Sequence, residues 1–197
     1  MISVVIQAGG QSSRMGRDKA LVPLAGRAMI DNILTRVAGL GEEVLVTTND
    51  PASYEHLDLA LFEDREPGAG ALGGLYTALA AARGDTVLVL ACDMPFVNRL
   101  LLEHLLSMAD EADVIVPEWE GMYQTMHAVY ARKKVLKAVE NALAAGNQRM
   151  ISFYPEVKVH KVPPEEIAKF DPQGRSFFNV NTPEDLAEAE RLLSQGR

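Results

Sequence analysis

Cysteine is almost absent from this sequence, in which Cys92 is the one cysteine among 197 residues. An intramolecular disulfide is therefore excluded, and a lone thiol is typical of a protein in a reducing compartment. The first apolar run, residues 2–6, has no basic segment before it and is far too short for a signal peptide or a membrane span. We therefore expect a cytoplasmic protein that does not cross a membrane.

Basic residues are also scarce, with 19 Lys and Arg against 27 Asp and Glu and a formal net charge of −8. Non-specific nucleic-acid binding draws its affinity from cations on phosphates, so this charge argues against a nucleic-acid partner. It also argues against long-range steering of anionic substrates. If the ligands carry phosphates, local basic groups and a bound divalent cation must attract them.

Apolar runs of strand length alternate with helical patterns along the chain, which is typical of an α/β fold with a mostly parallel sheet. We predict one domain over residues 1–197, a three-layer α/β/α sandwich with a Rossmann-like sheet and helices on both faces. The predicted strands are residues 2–6, 43–48, 59–62, 86–91, 113–117, 123–130 and 157–162. The predicted helices are residues 29–40, 72–82, 99–109 and 132–145 and a last helix capped by Thr182.

A glycine-rich and basic loop follows the first predicted strand. Gly9 and Gly10 allow a tight turn that exposes backbone N–H groups, and Arg14, Arg17 and Lys19 then place three cations within six residues. The spacing fits neither a Walker A motif nor the dinucleotide-binding fingerprint. An ordinary turn with solvated basic residues is the alternative, but the cluster of cations favours binding of a polyphosphate.

Asp93 is the second candidate for chemistry. It follows the predicted strand 86–91, which is apolar on both faces as expected for a central parallel strand. Ligands of open α/β sheets bind beyond the carboxyl ends of such strands, and Mg²⁺ prefers one or two carboxylates with waters and substrate phosphates. Asp93 is therefore the predicted metal ligand, the alternative being that it only caps the turn before Pro95.

The segment Gln-Ala-Gly-Gly-Gln-Ser-Ser-Arg-Met-Gly-Arg-Asp-Lys-Ala-Leu, residues 7–21, resembles the signature of nucleotidyltransferases that build cofactors and sugar nucleotides. It is most similar to the molybdenum cofactor guanylyltransferase (MobA) family. Two further motifs of that family follow in order, Cys-Asp-Met-Pro-Phe at residues 92–96 and Phe-x-Asn-x-Asn-Thr-Pro-Glu-Asp at residues 177–185. The sequence departs from the family at Gln7, where Leu is usual; main-chain contacts to the base would tolerate this change.

The resemblance implies transfer of GMP from GTP to the terminal phosphate of molybdopterin, with Mg²⁺ as cofactor and release of pyrophosphate. It also implies transient contact with cofactor-biosynthesis proteins or apo-molybdoenzymes. The implied catalytic residues are Arg14, Lys19 and Asp93, the last also holding the metal. The implied GTP-binding residues are Gln7, Ala8, Gly9, Gly10, Lys19, Asn49, Asp64 and Asp93. The candidate acceptor-binding residues are Arg149, Asn179 and Asn181.

Several of these residues have simpler interpretations. Asp64 could be a solvated loop residue, Asn49 a turn residue, and Arg149 part of a surface cap after a helix. We expect Cys92 to be a buried apolar residue and His127 to be packed in a strand rather than to act as an acid or base.

Three alternative functions also remain at this point. The first two are a molybdopterin cytidylyltransferase and a sugar-phosphate nucleotidyltransferase. The glycine pair and the Asp18-Lys19 pair favour the guanylyl branch of the family over the cytidylyl one. The third is a non-catalytic adaptor that carries the finished cofactor, which would need neither the basic loop nor Asp93.

Overall fold

The computed structural model describes residues 1–8 and 18–195. Its strands, numbered in chain order, are β1 Ile2–Gln7, β2 Pro23–Leu24, β3 Arg27–Ala28, β4 Glu43–Thr47, β5 Ala60–Phe62, β6 Thr86–Ala91, β7 Val114–Trp119, β8 Met122–Tyr123, β9 His127–Ala131 and β10 Val159–Val162. Its α-helices are α1 Met29–Val37, α2 Gly70–Ala81, α3 Arg99–Ser107, α4 Arg132–Ala144, α5 Pro164–Ile167 and α6 Pro183–Gln195.

The central sheet is mostly parallel, as predicted. Its strand order is β10-β7-β9-β6-β1-β4-β5, and β8 pairs with β7 off this path. The pairs β1–β6, β1–β4, β4–β5 and β7–β10 are parallel, whereas β9 runs antiparallel to both of its neighbours. β1 is a central strand, so its side chains at positions 3–6 are buried on both faces of the sheet.

Helices cover both faces of the sheet and confirm the three-layer prediction. Alternate residues of β1 point to opposite faces, with Val4 and Ile6 on one and Val5 on the other. The first face packs against α1 and α3, and the second against α2 and α4. A smaller apolar cluster joins the β2–β3 hairpin to α6. Among the described residues, every helix is too short or too polar to cross a membrane.

One predicted strand was wrong in its extent. Residues 123–130 were expected to form a single strand, but the structure divides them between β8 and β9 with a turn between. β8 closes a hairpin with the end of β7 around Glu120 and Gly121, both of which have positive φ. β9 instead lies between β6 and β7. One continuous strand could not make both sets of pairings, because they lie in different places.

Candidate active site

A cavity of about 580 Å³ opens at the carboxyl ends of β6, β1, β4 and β5. This is the edge at which parallel strands of an α/β sheet present their following loops to a ligand. The residues that line it are Gln7, Ala8, Asp18, Lys19, Asn49, Asp64, Gly68, Gly70, Ala71, Gly74, Ala91, Cys92, Asp93 and Met126.

Six of the predicted site residues meet in this cavity. They are separated by up to 86 positions in the sequence, yet five of them end or closely follow one of the four strands, and Lys19 comes from the 3₁₀ turn Lys19–Leu21. The six are Gln7, Ala8, Lys19, Asn49, Asp64 and Asp93. Gly9, Gly10 and Arg14, which were also predicted, lie outside the described residues.

Asp18 anchors the segment that carries Lys19. One carboxylate oxygen of Asp18 accepts the backbone N–H of Ala20 at 3.1 Å and so caps a short 3₁₀ turn that begins at Lys19. The other oxygen accepts the hydroxyl of Tyr54 at 2.6 Å. Burial, together with the Asp18 carboxylate, raises the pKa of Tyr54, so this hydroxyl stays protonated and remains a donor. The backbone at Lys19 is therefore held from two directions.

The C-terminal segment reaches the same place. Lys19 Nζ donates to the side-chain oxygen of Asn181 at 2.6 Å. The N–H of Val180 donates to the backbone carbonyl of Asp93 at 2.8 Å. Asp185 accepts the N–H groups of Asn181 and Thr182 at 2.9 and 2.8 Å, which is the predicted capping box at the start of α6. Residues far apart in sequence thus fix the ammonium and the Asp93 loop together.

Asp93 and Cys92 follow β6 and occupy a partly dry environment. Burial raises the pKa of the Asp93 carboxyl, and the nearby charge of Lys19 acts against this rise. Burial, and after it the charge of Asp93, raises the pKa of the Cys92 thiol. The thiol is therefore protonated at neutral pH, which confirms Cys92 as a buried apolar residue. The ionised form of Asp93, in contrast, would be stabilised by any cation in contact with its carboxylate.

Part of the cavity lining is glycine-rich. Gly68, Gly70, Ala71 and Gly74 form a wall that runs into the first turns of α2. Elsewhere in the lining, Asn49 Nδ2 donates to Asp64 Oδ2 at 3.3 Å, so these two predicted side chains are neighbours. A wall of residues without long side chains leaves room for a planar group.

The candidate acceptor residues are more scattered. Asn181 touches Lys19, as described above, but Asn179 donates its side-chain N–H to the carbonyl of Phe177 at 3.2 Å. Arg149 is exposed in the loop after α4. Its neighbour Gln148 lies at the cavity rim, with Nε2 at 3.4 Å from the carbonyl of Gly68.

Sequence reasoning missed two residues of the site. Tyr54 lies in a 3₁₀ segment, Pro51–Leu57, that has the pattern of an ordinary turn, and nothing local marks its bond to Asp18. Met126 lines the cavity from the turn before β9, which the predicted single strand concealed. In the sequence Asp18 stands out only as part of a family motif, although an Asp directly before a helical turn is typical of a cap.

His127 is a packed residue at the start of β9, as expected. Its ring lies edge-on to Phe177, with centroids 5.2 Å apart, and neither ring nitrogen has a hydrogen-bond partner among the described residues. Burial lowers the pKa of His127 to about 4. The imidazole is therefore neutral at physiological pH and belongs to the core rather than to the chemistry.

A parallel sheet whose carboxyl edge joins a lysine, a half-buried carboxylate and a glycine-lined wall defines a nucleotide-binding α/β protein. The model of the MobA-like NTP transferase domain matches residues 4–159, and the chain belongs to that family.

Individual relatives agree over the full length. The chain is 34% identical over 193 residues to a protein of Carboxydothermus hydrogenoformans named "Probable molybdenum cofactor guanylyltransferase", covering 98% of this chain and 97% of that one. It is 30% identical over 198 residues to the molybdenum cofactor guanylyltransferase of Desulfosudis oleivorans, covering 100% and 98%. The crystal structure of molybdopterin-guanine dinucleotide biosynthesis protein A from Archaeoglobus fulgidus superimposes with a TM-score of 0.84 at 29% identity, covering 98% and 99%.

Proposed function

We propose that this protein transfers GMP from GTP to the terminal phosphate of molybdopterin and releases pyrophosphate. The observation that carries the proposal is the cavity itself, whose lining combines Lys19 and Asp93 with a glycine-rich wall. The names of the full-length relatives favour a guanylyl transfer over a cytidylyl transfer or a carrier role. We further propose that it works in the cytoplasm, where the thiol of Cys92 stays reduced.

The charged and the glycine-rich parts of the lining suggest how GTP lies in the cavity. The base lies against the glycine-lined wall, near Asn49 and Asp64, and the triphosphate extends toward Lys19. A carboxylate near the wall suits guanine, whose N1–H and amino group are donors. Gly9, Gly10 and Arg14 complete the phosphate site in this proposal.

Asp93 fits a Mg²⁺ ion. Burial makes its carboxylate costly without a counter-charge, and a cation would remove that cost. In residues 1–8 and 18–195 no three ligating side chains converge on one point. A cation on Asp93 would therefore take its other ligands from phosphates and water, which is the set that Mg²⁺ prefers. When bound, it supplies positive charge to the phosphates.

The chain's own residues then align and neutralise the reacting groups. A terminal phosphate oxygen of molybdopterin attacks the α-phosphorus of GTP, a new P–O bond forms, and the bond to the β-phosphate breaks. The attacking phosphate is already an anion, so the protein needs no nucleophile of its own. Lys19 neutralises the charge that develops on the leaving pyrophosphate, and Asn181 holds the Lys19 ammonium in place at 2.6 Å. Arg149 and Asn179 receive the acceptor.

A transfer assay tests this proposal. Purified protein is mixed with Mg²⁺, molybdopterin and GTP labelled at the α-phosphate, and the labelled dinucleotide is separated by chromatography. We expect product with GTP and its loss by roughly two to three orders of magnitude in Lys19→Ala. Lys133→Ala is the matched control, because Lys133 is exposed and pairs with Asp85 at the opposite edge of the sheet. Product from CTP but not from GTP would move the assignment to a cytidylyltransferase.

A further inference from the structure

Gln7 is placed unusually for a polar residue at the end of a central strand. Its backbone carbonyl accepts the N–H of Cys92 at 3.0 Å, and its neighbour Ala8 donates to the carbonyl of Thr47 at 2.8 Å. The main chain at Gln7 is therefore engaged in holding β1 between its neighbouring strands. Gln7 is also one of the residues that line the cavity.

That amide is buried but incompletely bonded. Gln7 Nε2 is shielded from solvent and has no hydrogen-bond partner among the described residues. An unpaired buried N–H donor costs free energy, which a correctly placed acceptor would recover. Since the side chain belongs to the cavity wall, a bound ligand is the natural source of that acceptor.

Gly74 shows which part of the cavity the amide serves. A Cβ at position 74 would lie 2.9 Å from Gln7 Oε1 and 3.5 Å from Nε2, and the Gln7 amide supplies all three of its nearest contacts. Glycine inside a helix such as α2 is destabilising relative to alanine. The absence of a side chain at position 74 makes room for the amide. The amide therefore lies against Gly74, which is part of the glycine-lined wall.

We propose that Gln7 is a specificity-determining residue whose side-chain N–H donates to the 6-carbonyl oxygen of the guanine base. This inference rests on the proposed function and deepens it. Guanine carries an acceptor at position 6, where adenine carries an amino group that is itself a donor. A donor at Gln7 therefore favours guanine and opposes adenine at the same place. A leucine at this position could pack against the base but could not make that distinction.

Four triphosphates separate this contact from a general effect on the cavity. GTP and inosine triphosphate both carry the 6-carbonyl, whereas ATP and 2-aminopurine riboside triphosphate do not. We expect Gln7→Met, which keeps the length of the side chain but removes the amide, to weaken binding of the first pair about tenfold. Binding of 2-aminopurine riboside triphosphate, which has only hydrogen at position 6, should change less than twofold, and ATP should bind as tightly as before or more tightly. Calorimetric titration in Mg²⁺ measures all four dissociation constants.

Gly74→Ala offers a second route to the same contact. The added methyl group collides with Oε1 of Gln7 and displaces the amide, while alanine is the better helix former. The variant should fold and show the same selective loss for GTP and inosine triphosphate. Added to Gln7→Ala, it should cost less than a further twofold, because the displaced amide is already absent. Gln195→Met is the matched control, since Gln195 is exposed at the end of α6 and does not line the cavity.

Three results would overturn the inference in distinguishable ways. Equal weakening of all four triphosphates by Gln7→Met would mean that the side chain shapes the cavity or meets the ribose. A wild-type preference for GTP that Gln7→Met leaves intact would remove the role of Gln7 and spare the proposed function. A wild-type protein that binds GTP and ATP equally would contradict both.

Discussion

The two edges of the central sheet use polar side chains in opposite ways. At the amino edge, Glu43 accepts hydrogen bonds from the Ser3 hydroxyl and from the backbone and side chain of Arg83. Ser3 in turn accepts the N–H of Gly84 at 2.8 Å. At the carboxyl edge, Gln7 keeps a buried donor without a partner among the described residues, and burial raises the pKa of Asp93.

This difference separates polar groups that stabilise the fold from those that await a ligand. A buried polar group that is fully paired contributes to folding, and removing one partner costs stability. A buried group that is unpaired lowers stability and gains when a ligand completes it. The comparison predicts that substitutions at the amino edge will change unfolding free energy, and those at the carboxyl edge will change binding and transfer.

The largest effect should come from Asp93→Asn. We expect the rate of GMP transfer to fall by roughly two to three orders of magnitude, because the variant loses a charge directed at the phosphates. The free energy of unfolding should stay the same or rise, since an amide is cheaper to bury than a carboxylate. Transfer kinetics and urea unfolding measure the two quantities.

Asp85→Asn serves as the control for that substitution, because Asp85 is exposed and pairs with Lys133 at the amino edge. Its transfer rate should match that of the wild type. If Asp93→Asn keeps more than a tenth of the wild-type rate, the claim that polar groups at the carboxyl edge serve transfer is contradicted.

His127 tests what an unpaired polar group does when it does not line the cavity. Its pKa is about 4 in the folded protein against an ordinary value of 6.5, so the unfolded chain binds more protons between these values. The free energy of unfolding therefore contains a contribution from neutral His127 that is fully present above pH 6.5. This contribution is lost as the pH falls toward 4, by about 3 kcal/mol in total. Urea unfolding from pH 7 to 4 should show this loss in the wild type and not in His127→Leu. Parallel pH profiles for the two proteins would contradict the assignment.

Glu43→Ala should lower the free energy of unfolding by about 2 kcal/mol, because it leaves the buried hydroxyl of Ser3 and the backbone N–H of Arg83 without their acceptor. The transfer rate per folded molecule should be unchanged at 25 °C. Glu55→Ala, at an exposed position, should change stability by less than about 0.5 kcal/mol. Slower transfer by a Glu43→Ala protein that is fully folded would contradict this separation, because it would show that the amino edge also affects transfer.

The smallest predicted effect distinguishes the two asparagines of the C-terminal motif. Asn181 accepts from Lys19 Nζ, whereas Asn179 bonds to the carbonyl of Phe177. We expect Asn181→Ala to lower kcat about tenfold by freeing the ammonium, a larger effect on kcat than that of Asn179→Ala. Steady-state kinetics with varied molybdopterin measures this. Equal rises in KM for molybdopterin, with kcat unchanged in both variants, would assign both residues to acceptor binding alone.

Much of the fold could be predicted because its signals are local. The apolar strand β6 and the amphipathic helices α1, α3 and α4 follow directly from the periodicity of their sequences. The division between β8 and β9 could not be predicted, since it depends on which neighbour each strand finds. Residues 122–131 contain no glycine or proline that would mark the turn between the two strands.

The same holds for the site: residues in local motifs could be predicted, and contacts between distant positions could not. Lys19 and Asp93 stand in motifs whose spacing can be read along the chain, and the cavity brings them together. The bond from Tyr54 to Asp18 spans 36 positions and that from Lys19 to Asn181 spans 162. Nor could the sequence show where the Gln7 amide lies, because its place depends on the missing side chain of Gly74 on another element.

Binding of nucleoside triphosphates in Mg²⁺ by calorimetry tests the central claim most directly. GTP, ATP, CTP and UTP are titrated into the wild-type protein and into Asp93→Asn. If the carboxyl edge is a guanylyl-transfer site, GTP should bind at least tenfold more tightly than the other three, and its affinity should fall in the variant. Preference for another nucleotide, or GTP binding that Asp93→Asn leaves unchanged, would contradict this account.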